Sequence, residues 1–205
     1  MDELDFLEMF TDVGTSPSAY QYWHQLLHNR TIVFNVEIDE DIVERIYLPL
    51  RDFENDSSQA PVTLILHSPG GSVSDGYFLA EYISQYKKPL NIIVLGFAAS
   101  MAAVILCGGG GNPNVKRYCY PSTYILLHDG YISLSSSETK TAEDFIAYNK
   151  RVDTSIRQFI LDHTKITAEE YDARTRQQWF LDGEELKKYG IVDEILGEDN
   201  NAALS

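Results

Sequence analysis

The stretch VTLILHSPGGSVSDGYFLAEYISQ, residues 62–85, is the first of two similar units that decide the fold. It begins with five strand-forming residues, passes through a Ser-Pro-Gly-Gly turn at 68–71 and continues as a helix. The apolar side chains of that helix recur at the spacing of one face, namely Phe78, Leu79, Tyr82, Ile83 and Tyr86. The second unit, NIIVLGFAASMAAVIL at 91–106, repeats strand, turn and helix. This alternation predicts an α/β fold with a parallel sheet covered on both faces.

Further elements are predicted on both sides of these units. Residues 31–34 and 124–127 have the composition of short strands. Between 143 and 163, apolar side chains recur every three or four positions, which predicts a long amphipathic helix. The segments 167–170 and 182–185 have the sequence of capping boxes, so each is expected to open a shorter helix.

The length of 205 residues suits one domain, which we expect over 20–196. An acidic, Gly- and Ser-containing segment at 1–19 is predicted to be a flexible arm, and 197–205 a polar tail. No apolar run approaches the roughly 20 residues that span a bilayer, and the acidic start lacks the features of a secretory signal.

A formal net charge of −15 argues against a nucleic-acid groove and against docking on an anionic membrane. The two cysteines, Cys107 and Cys119, form neither a disulfide framework nor a metal site, and their apolar neighbours are typical of buried thiols. We therefore expect a cytoplasmic protein without a metal.

Ser100 lies where the second apolar strand turns into a helix of small residues. A hydroxyl there is exposed at the carboxyl edge of the sheet, where α/β active sites form. The helix N-terminus also favours negative charge that develops on an attacked carbonyl. A simple helix cap is the alternative, because serine is common at that position. The placement makes Ser100 a candidate nucleophile.

Two other features belong to the same edge of the sheet. The glycines of the turn at 68–71 let the backbone approach a ligand, and their N–H groups could form an oxyanion hole; an ordinary tight turn is the alternative. His128 follows the strand at 124–127, where its imidazole could reach Ser100, although structural histidines are common.

Four segments occur together in the order and at the intervals of a known family. They are LHSPGGSV at 66–73, GFAASMAA at 96–103, KRYCYP at 116–121 followed by LH at 127–128, and WFLDGEELKKYGIVD at 179–193. The chain closely resembles the proteolytic subunits of Clp protease from about residue 20 to residue 196. The resemblance implies a crotonase-like spiral of ββα units with a protruding helical handle at about 130–165.

The resemblance also implies roles for individual residues. Ser100 matches the nucleophile of the family and His128 its general base, while the N–H groups of Gly71 and Met101 match its oxyanion hole. Members form two stacked heptameric rings that enclose the active sites. An AAA+ unfoldase feeds them unfolded protein, so ATP is used by that partner and the peptidase itself has no cofactor.

The family's apolar clefts that bind unfoldase loops have counterparts here, although core or subunit packing is an equal alternative for each residue. The matching positions are Ile65, Tyr86, Leu95, Tyr118, Tyr120 and Leu196.

The acid of the family's catalytic triad is replaced by Gln178. A glutamine can hold the tautomer of His128 but cannot stabilise an imidazolium by charge, so a carboxylate restored at this position is expected to speed acylation. Asp129 is expected to point to the opposite face of its strand, Asp182 to cap a helix, and Asp172 has no assigned place. The neighbouring Gln177 replaces a basic residue that the family uses between rings, which affects assembly more than fold.

The leading hypothesis is therefore an active, self-compartmentalised serine endopeptidase. A non-catalytic or weakly active ring subunit is the alternative that Gln178 suggests. A crotonase-type acyl-CoA enzyme would share the fold and the oxyanion hole, but that chemistry does not need both Ser100 and His128.

Overall fold

Seven strands form one mixed sheet in the part of the chain that the computed structural model describes, residues 17–129 and 139–197. They are β1 (Thr31–Phe34), β2 (Val62–Ser68), β3 (Leu90–Ala99), β4 (Val115–Cys119), β5 (Tyr124–Leu127), β6 (Trp179–Asp182) and β7 (Glu194–Ile195). The order is β1-β2-β3-β4-β7, while β5 lies beside β3 and β6 beside β5. The β5–β6 pair is antiparallel and the others are parallel, which confirms the predicted parallel sheet.

Helices fill the connections between these strands. They are α1 (Pro17–His28), α2 (Leu48–Asn55, preceded by a π-helical turn at Val43–Tyr47), α3 (Val73–Ser84), α4 (Met101–Gly108), α5 (Thr139–His163), α6 (Ala168–Arg174) and α7 (Gly183–Lys188). Among the helices described, none combines the length and the apolarity needed to cross a bilayer.

β3 changes its neighbour along its length. Its residues 90–94 pair with β4, whereas 97–99 pair with β5. Gly96 lies between the two sets with φ of +78°, a conformation that glycine adopts without steric cost. The exchange brings the carboxyl ends of β2, β3 and β5 to one edge of the sheet, which ends at Ser68, Ala99 and Leu127.

α4 occupies the centre of the core and is buried at all eight positions, because its sequence MAAVILCG is small or apolar throughout. It packs against α3 and α5. A Cβ added to Gly108 would lie 2.5 Å from the carbonyl oxygen of Ala80 in α3, so the two helices approach closely. Burial raises the pKa of the Cys107 thiol in α4 to about 12, as expected for a small core residue.

The predicted elements agree with the structure apart from their boundaries. Both capping boxes are present, with Thr167 opening α6 and Asp182 opening α7. α1 begins at Pro17, within the segment predicted to be a flexible arm. Residues 1–16, 130–138 and 198–205 lie outside the described part, and with them most of the arm, the first part of the handle and most of the tail.

An ion pair between a buried guanidinium and an exposed carboxylate joins β4 to the segment before β7. The Arg117 side chain is 5 % exposed, and its Nε and NH2 atoms donate to the Asp193 carboxylate at 3.2 and 2.8 Å. The main-chain N–H of Arg117 donates to the same carboxylate at 2.7 Å. Asp193 therefore compensates a guanidinium that is almost fully removed from water.

Replacing Asp193→Ala is expected to lower the free energy of unfolding by about 3 kcal/mol, because it leaves this buried charge unpaired. Urea denaturation measures the change. Asp144→Ala, on the exposed side of α5, is the control and should alter stability by less than about 0.5 kcal/mol. Equal losses in the two variants would contradict a structural role for the pair.

Candidate active site

A cleft of about 340 Å³ lies at the edge where β3 and β5 end, and Ser100 and His128 both line it. Its walls include apolar side chains from three helices, among them Val73, Met101 and Ile160. Polar and charged side chains complete the lining, and a concave space that combines apolar walls with convergent polar groups is the usual form of a binding site. The structure thus brings the two principal sequence-predicted residues into one cavity.

Ser100 has the strained backbone typical of a nucleophile at a strand–helix turn. Its φ is +55° and its ψ is −126°, and its N–H donates to the Leu126 carbonyl at 2.9 Å. It stands at the N-cap position of α4, but its side chain makes no capping hydrogen bond. The simple cap interpretation therefore fails, and the hydroxyl is available for chemistry in the cleft.

The turn at 68–71 packs directly against this junction. Ser68 is buried, donates through Oγ to the Val36 carbonyl at 2.6 Å and accepts the Gly70 N–H at 3.2 Å. Gly70 has φ of +93°, and a Cβ there would lie 2.8 Å from the Cβ of Ser100. Glycine is required at position 70 because any larger residue would have its Cβ in steric conflict with Ser100.

The N–H groups of Gly71 and Met101 are those predicted to form an oxyanion hole. Ile38 donates to the Gly70 carbonyl and Ser72 donates to the Ile38 carbonyl, both at 2.8 Å, so the Gly71 N–H points away from Ile38. Met101 is the first residue of α4, where an N–H has no intrahelical acceptor. Among the described residues, neither N–H takes part in a hydrogen bond, although Met101 lines the cleft and Gly71 does not.

His128 is oriented by the main chain. Its Nδ1 lies 2.5 Å from the carbonyl oxygen of Asp129, and because a carbonyl can only accept, Nδ1 carries the proton. The Asp129 N–H, in the preceding peptide unit, donates to the Thr175 carbonyl at 3.0 Å, which links residue 129 to the end of α6. The resulting tautomer is the one that a general base of a serine peptidase requires.

The structure describes no hydrogen bond between Ser100 and His128. Both side chains face the same cleft, and in unliganded active sites such contacts are often long and tighten when substrate binds.

Gln178 is exposed, does not line the cleft and makes no described hydrogen bond to His128. The Asp172 carboxylate accepts from Nε and NH2 of Arg157 at 2.6 and 2.8 Å, and this pairing lowers its pKa. Asp182 caps α7 by accepting the Glu185 N–H at 3.1 Å.

The expectation for Asp129 was wrong, because Asp129 lines the cleft. β5 ends at Leu127, so the alternation of strand side chains does not extend to residue 129.

The six residues matched to unfoldase-binding clefts have different environments. Tyr86 is 1 % exposed and donates through its hydroxyl to the Leu50 carbonyl, which is core packing. Tyr118 and Leu196 are buried in a small separate cluster with Ile93, and Tyr120 packs against it. Leu95 is exposed and Ile65 is half-buried. Burial supports the packing alternative for Tyr86, Tyr118 and Leu196, and the docking cleft stays a prediction.

Sequence reasoning missed the wall that α5 contributes to the cleft, which consists of Asp153, Thr154, Ile156, Arg157 and Ile160. The apolar periodicity of the 143–163 segment identifies which side of the helix is apolar, but it does not identify the part of the molecule against which that side packs. Burial, and then the nearby charge of Asp129, raises the pKa of Asp153.

Comparisons with known proteins agree on one family. The family model described as Clp protease matches residues 14–199. An ATP-dependent Clp protease proteolytic subunit from Cyanophora paradoxa is 34% identical over 181 residues, which cover 86% of this chain and 89% of that protein. A mutant of ClpP1 from Listeria monocytogenes has the same fold with a TM-score of 0.73 at 23% identity, covering 87% of this chain and 98% of that one. These matches confirm the predicted resemblance and fold.

The exposed position of Gln178 changes what its replacement should do. Gln178→Asp is expected to alter the rate of labelling by a fluorophosphonate probe by less than about threefold, or about 0.7 kcal/mol, because the carboxylate would face solvent outside the cleft. Gln177→Asp, the exposed neighbour, adds the same charge and is the control. A tenfold gain in Gln178→Asp alone would mean that residue 178 reaches His128 after all.

Proposed function

The chain belongs to the Clp protease family, and on that premise we propose that it is a serine endopeptidase in which Ser100 is the nucleophile and His128 the general base. The observation that carries this proposal is the conformation and place of Ser100. Its φ is positive and its side chain does not cap α4, and it lies in a cleft shared with His128 and against Gly70. A purely structural junction has no need for a strained serine whose hydroxyl faces a cavity.

In the proposed reaction, Ser100 Oγ attacks the peptide carbonyl while Nε2 of His128 takes the hydroxyl proton. The N–H groups of Gly71 and Met101 would stabilise the oxyanion, a contribution of roughly 3–4 kcal/mol in known sites. His128 then returns the proton to the leaving amine, and an acyl-enzyme remains. Water, deprotonated by the same imidazole, hydrolyses the ester and regenerates Ser100.

The Asp129 carbonyl would replace the missing acid as the orienting group of His128. It selects the same tautomer, with the proton on Nδ1, but as a neutral group it stabilises an imidazolium less than a carboxylate does. In a serine protease triad, replacing aspartate by asparagine lowers kcat about 10⁴-fold. We therefore propose an enzyme with slow acylation, and a non-catalytic or weakly active ring subunit remains the second candidate for the same reason.

We further propose that the chain forms heptameric rings that stack in pairs, receives unfolded protein from an ATP-dependent unfoldase and acts in the cytoplasm. The exposed Phe145 and Tyr148 on α5 support an assembly that covers this helix. The name of the Cyanophora relative, an ATP-dependent protease subunit, supports the unfoldase. The free thiols of Cys107 and Cys119 suit a reducing compartment.

Ser100→Ala is expected to abolish hydrolysis of a fluorogenic peptide, with a loss of at least about 10³-fold, and to abolish fluorophosphonate labelling. The substitution removes one hydroxyl that makes no capping hydrogen bond, so the thermal midpoint and native mass should be unchanged. Ser72→Ala, at the start of α3, is the control and should retain activity and labelling. Wild-type activity in Ser100→Ala would overturn the assignment of the nucleophile.

Native mass spectrometry near physiological salt is expected to give a particle of seven subunits or of fourteen. The physical reason is that an isolated subunit would expose the apolar side chains of α5 to water. A monomer across the micromolar range would contradict the ring assembly without affecting the assignment of Ser100.

A further inference from the structure

The cleft beside Ser100 combines apolar walls with an unpaired carboxylate. Met101, Ile156 and Ile160 are among its apolar residues, and Asp153 faces the same space from one turn earlier on α5. Asp153 is partly buried and makes no hydrogen bond or ion pair with any residue that the structure describes. A carboxylate in this position lacks both full hydration and a cationic partner.

Two cations lie in the lining, but neither is paired with Asp153. Arg157 is four residues further along α5, on the same face, and both its Nε and its NH2 donate to Asp172. Arg176 is exposed and acts electrostatically on Asp172. Three carboxylates and two guanidinium groups line the cleft altogether, so it is net negative.

A charge of the same sign acts on Asp153. Burial, and then the charge of Asp129 next to His128, raises the pKa of Asp153. A bound cation near both carboxylates would relieve their repulsion and replace part of the lost hydration, whereas a bound apolar group would remove more water from them.

The position of Ser100 identifies the part of a substrate that would enter. For attack, the peptide carbonyl must lie about 3–3.5 Å from Oγ. The side chain on the α-carbon bonded to that carbonyl, which precedes the scissile bond, is then the one next to the cleft.

We propose that this cleft selects a basic side chain, lysine or arginine, before the scissile bond, and that Asp153 is the residue that determines the preference. The inference rests on the proposed function. The methylene groups of such a side chain would pack on Met101 and Ile156, and its charged end would reach Asp153. A lysine or arginine side chain would thus contact the apolar walls and also pair with the carboxylate, whereas an aliphatic side chain such as leucine could contact only the walls.

The test compares two fluorogenic peptides that differ only in lysine or leucine before the scissile bond. The wild-type protein is expected to have the higher kcat/KM for the lysine peptide. In Asp153→Asn, the lysine-to-leucine ratio of kcat/KM should fall about 10- to 100-fold, the range for a lost hydrogen bond to a charged group. Because both peptides are measured on one preparation, the ratio does not depend on the fraction of folded protein.

Matched variants separate charge from other effects. Asp144→Asn removes a carboxylate from the exposed surface of the same helix and should leave the ratio unchanged. Asp153→Glu keeps the charge and should retain the preference. Asp153→Arg should reverse it and favour a peptide with glutamate at the same place.

The outcomes distinguish this inference from the proposed function. Cleavage of both peptides with an equal ratio in wild type and Asp153→Asn would overturn the basic preference and leave the peptidase standing. Equal losses for both peptides in every variant at 153 would also overturn it, since the residue would then support the cleft without selecting substrate. Wild-type protein that cleaves neither peptide and resists fluorophosphonate labelling would overturn the peptidase and the preference together.

Discussion

The exchange of partners along β3 is the constraint on which the candidate site depends. A strand in a parallel sheet normally keeps one neighbour on each side, but β3 leaves β4 and joins β5 around Gly96. Without the left-handed conformation that glycine permits there, the last residues of β3 could not run beside β5. Ser100 follows β3 and His128 follows β5, so the same exchange brings a hydroxyl and an imidazole to one cleft.

The main chain supplies much of what side chains supply in other serine peptidases. The Asp129 carbonyl orients His128, and the Thr175 carbonyl accepts the N–H of the same residue. Backbone groups are fixed by the fold and cannot be lost by substitution, but they are neutral. The group that orients His128 is therefore fixed in place but carries no charge, and this is the reason for the slow acylation proposed above.

Sequence reasoning succeeded where a local rule applied and failed where distant segments meet. The strands themselves and their shared edge could be predicted, because apolar runs and turn residues mark them and the ends of parallel strands lie together. The predicted strands stop at Leu66 and Leu95, however, whereas β2 extends to Ser68 and β3 to Ala99. The orientation of Asp129 could not be predicted, since β5 stops two residues earlier than strand alternation assumes. The α5 wall was missed because helical periodicity gives a buried face without saying what lies against it.

The complete burial of α4 has a consequence for how the site opens and closes. Amide protons of such a helix are expected to exchange with solvent only when most of the core comes apart, so Ser100 is attached to a helix for which slow exchange is expected. α5 is far more exposed over residues 141–151, where faster exchange is expected. Asp153 lies just beyond that exposed stretch, so the cleft joins a fully buried helix next to the reacting hydroxyl to a helix that can open locally, and such openings need not disturb the nucleophile.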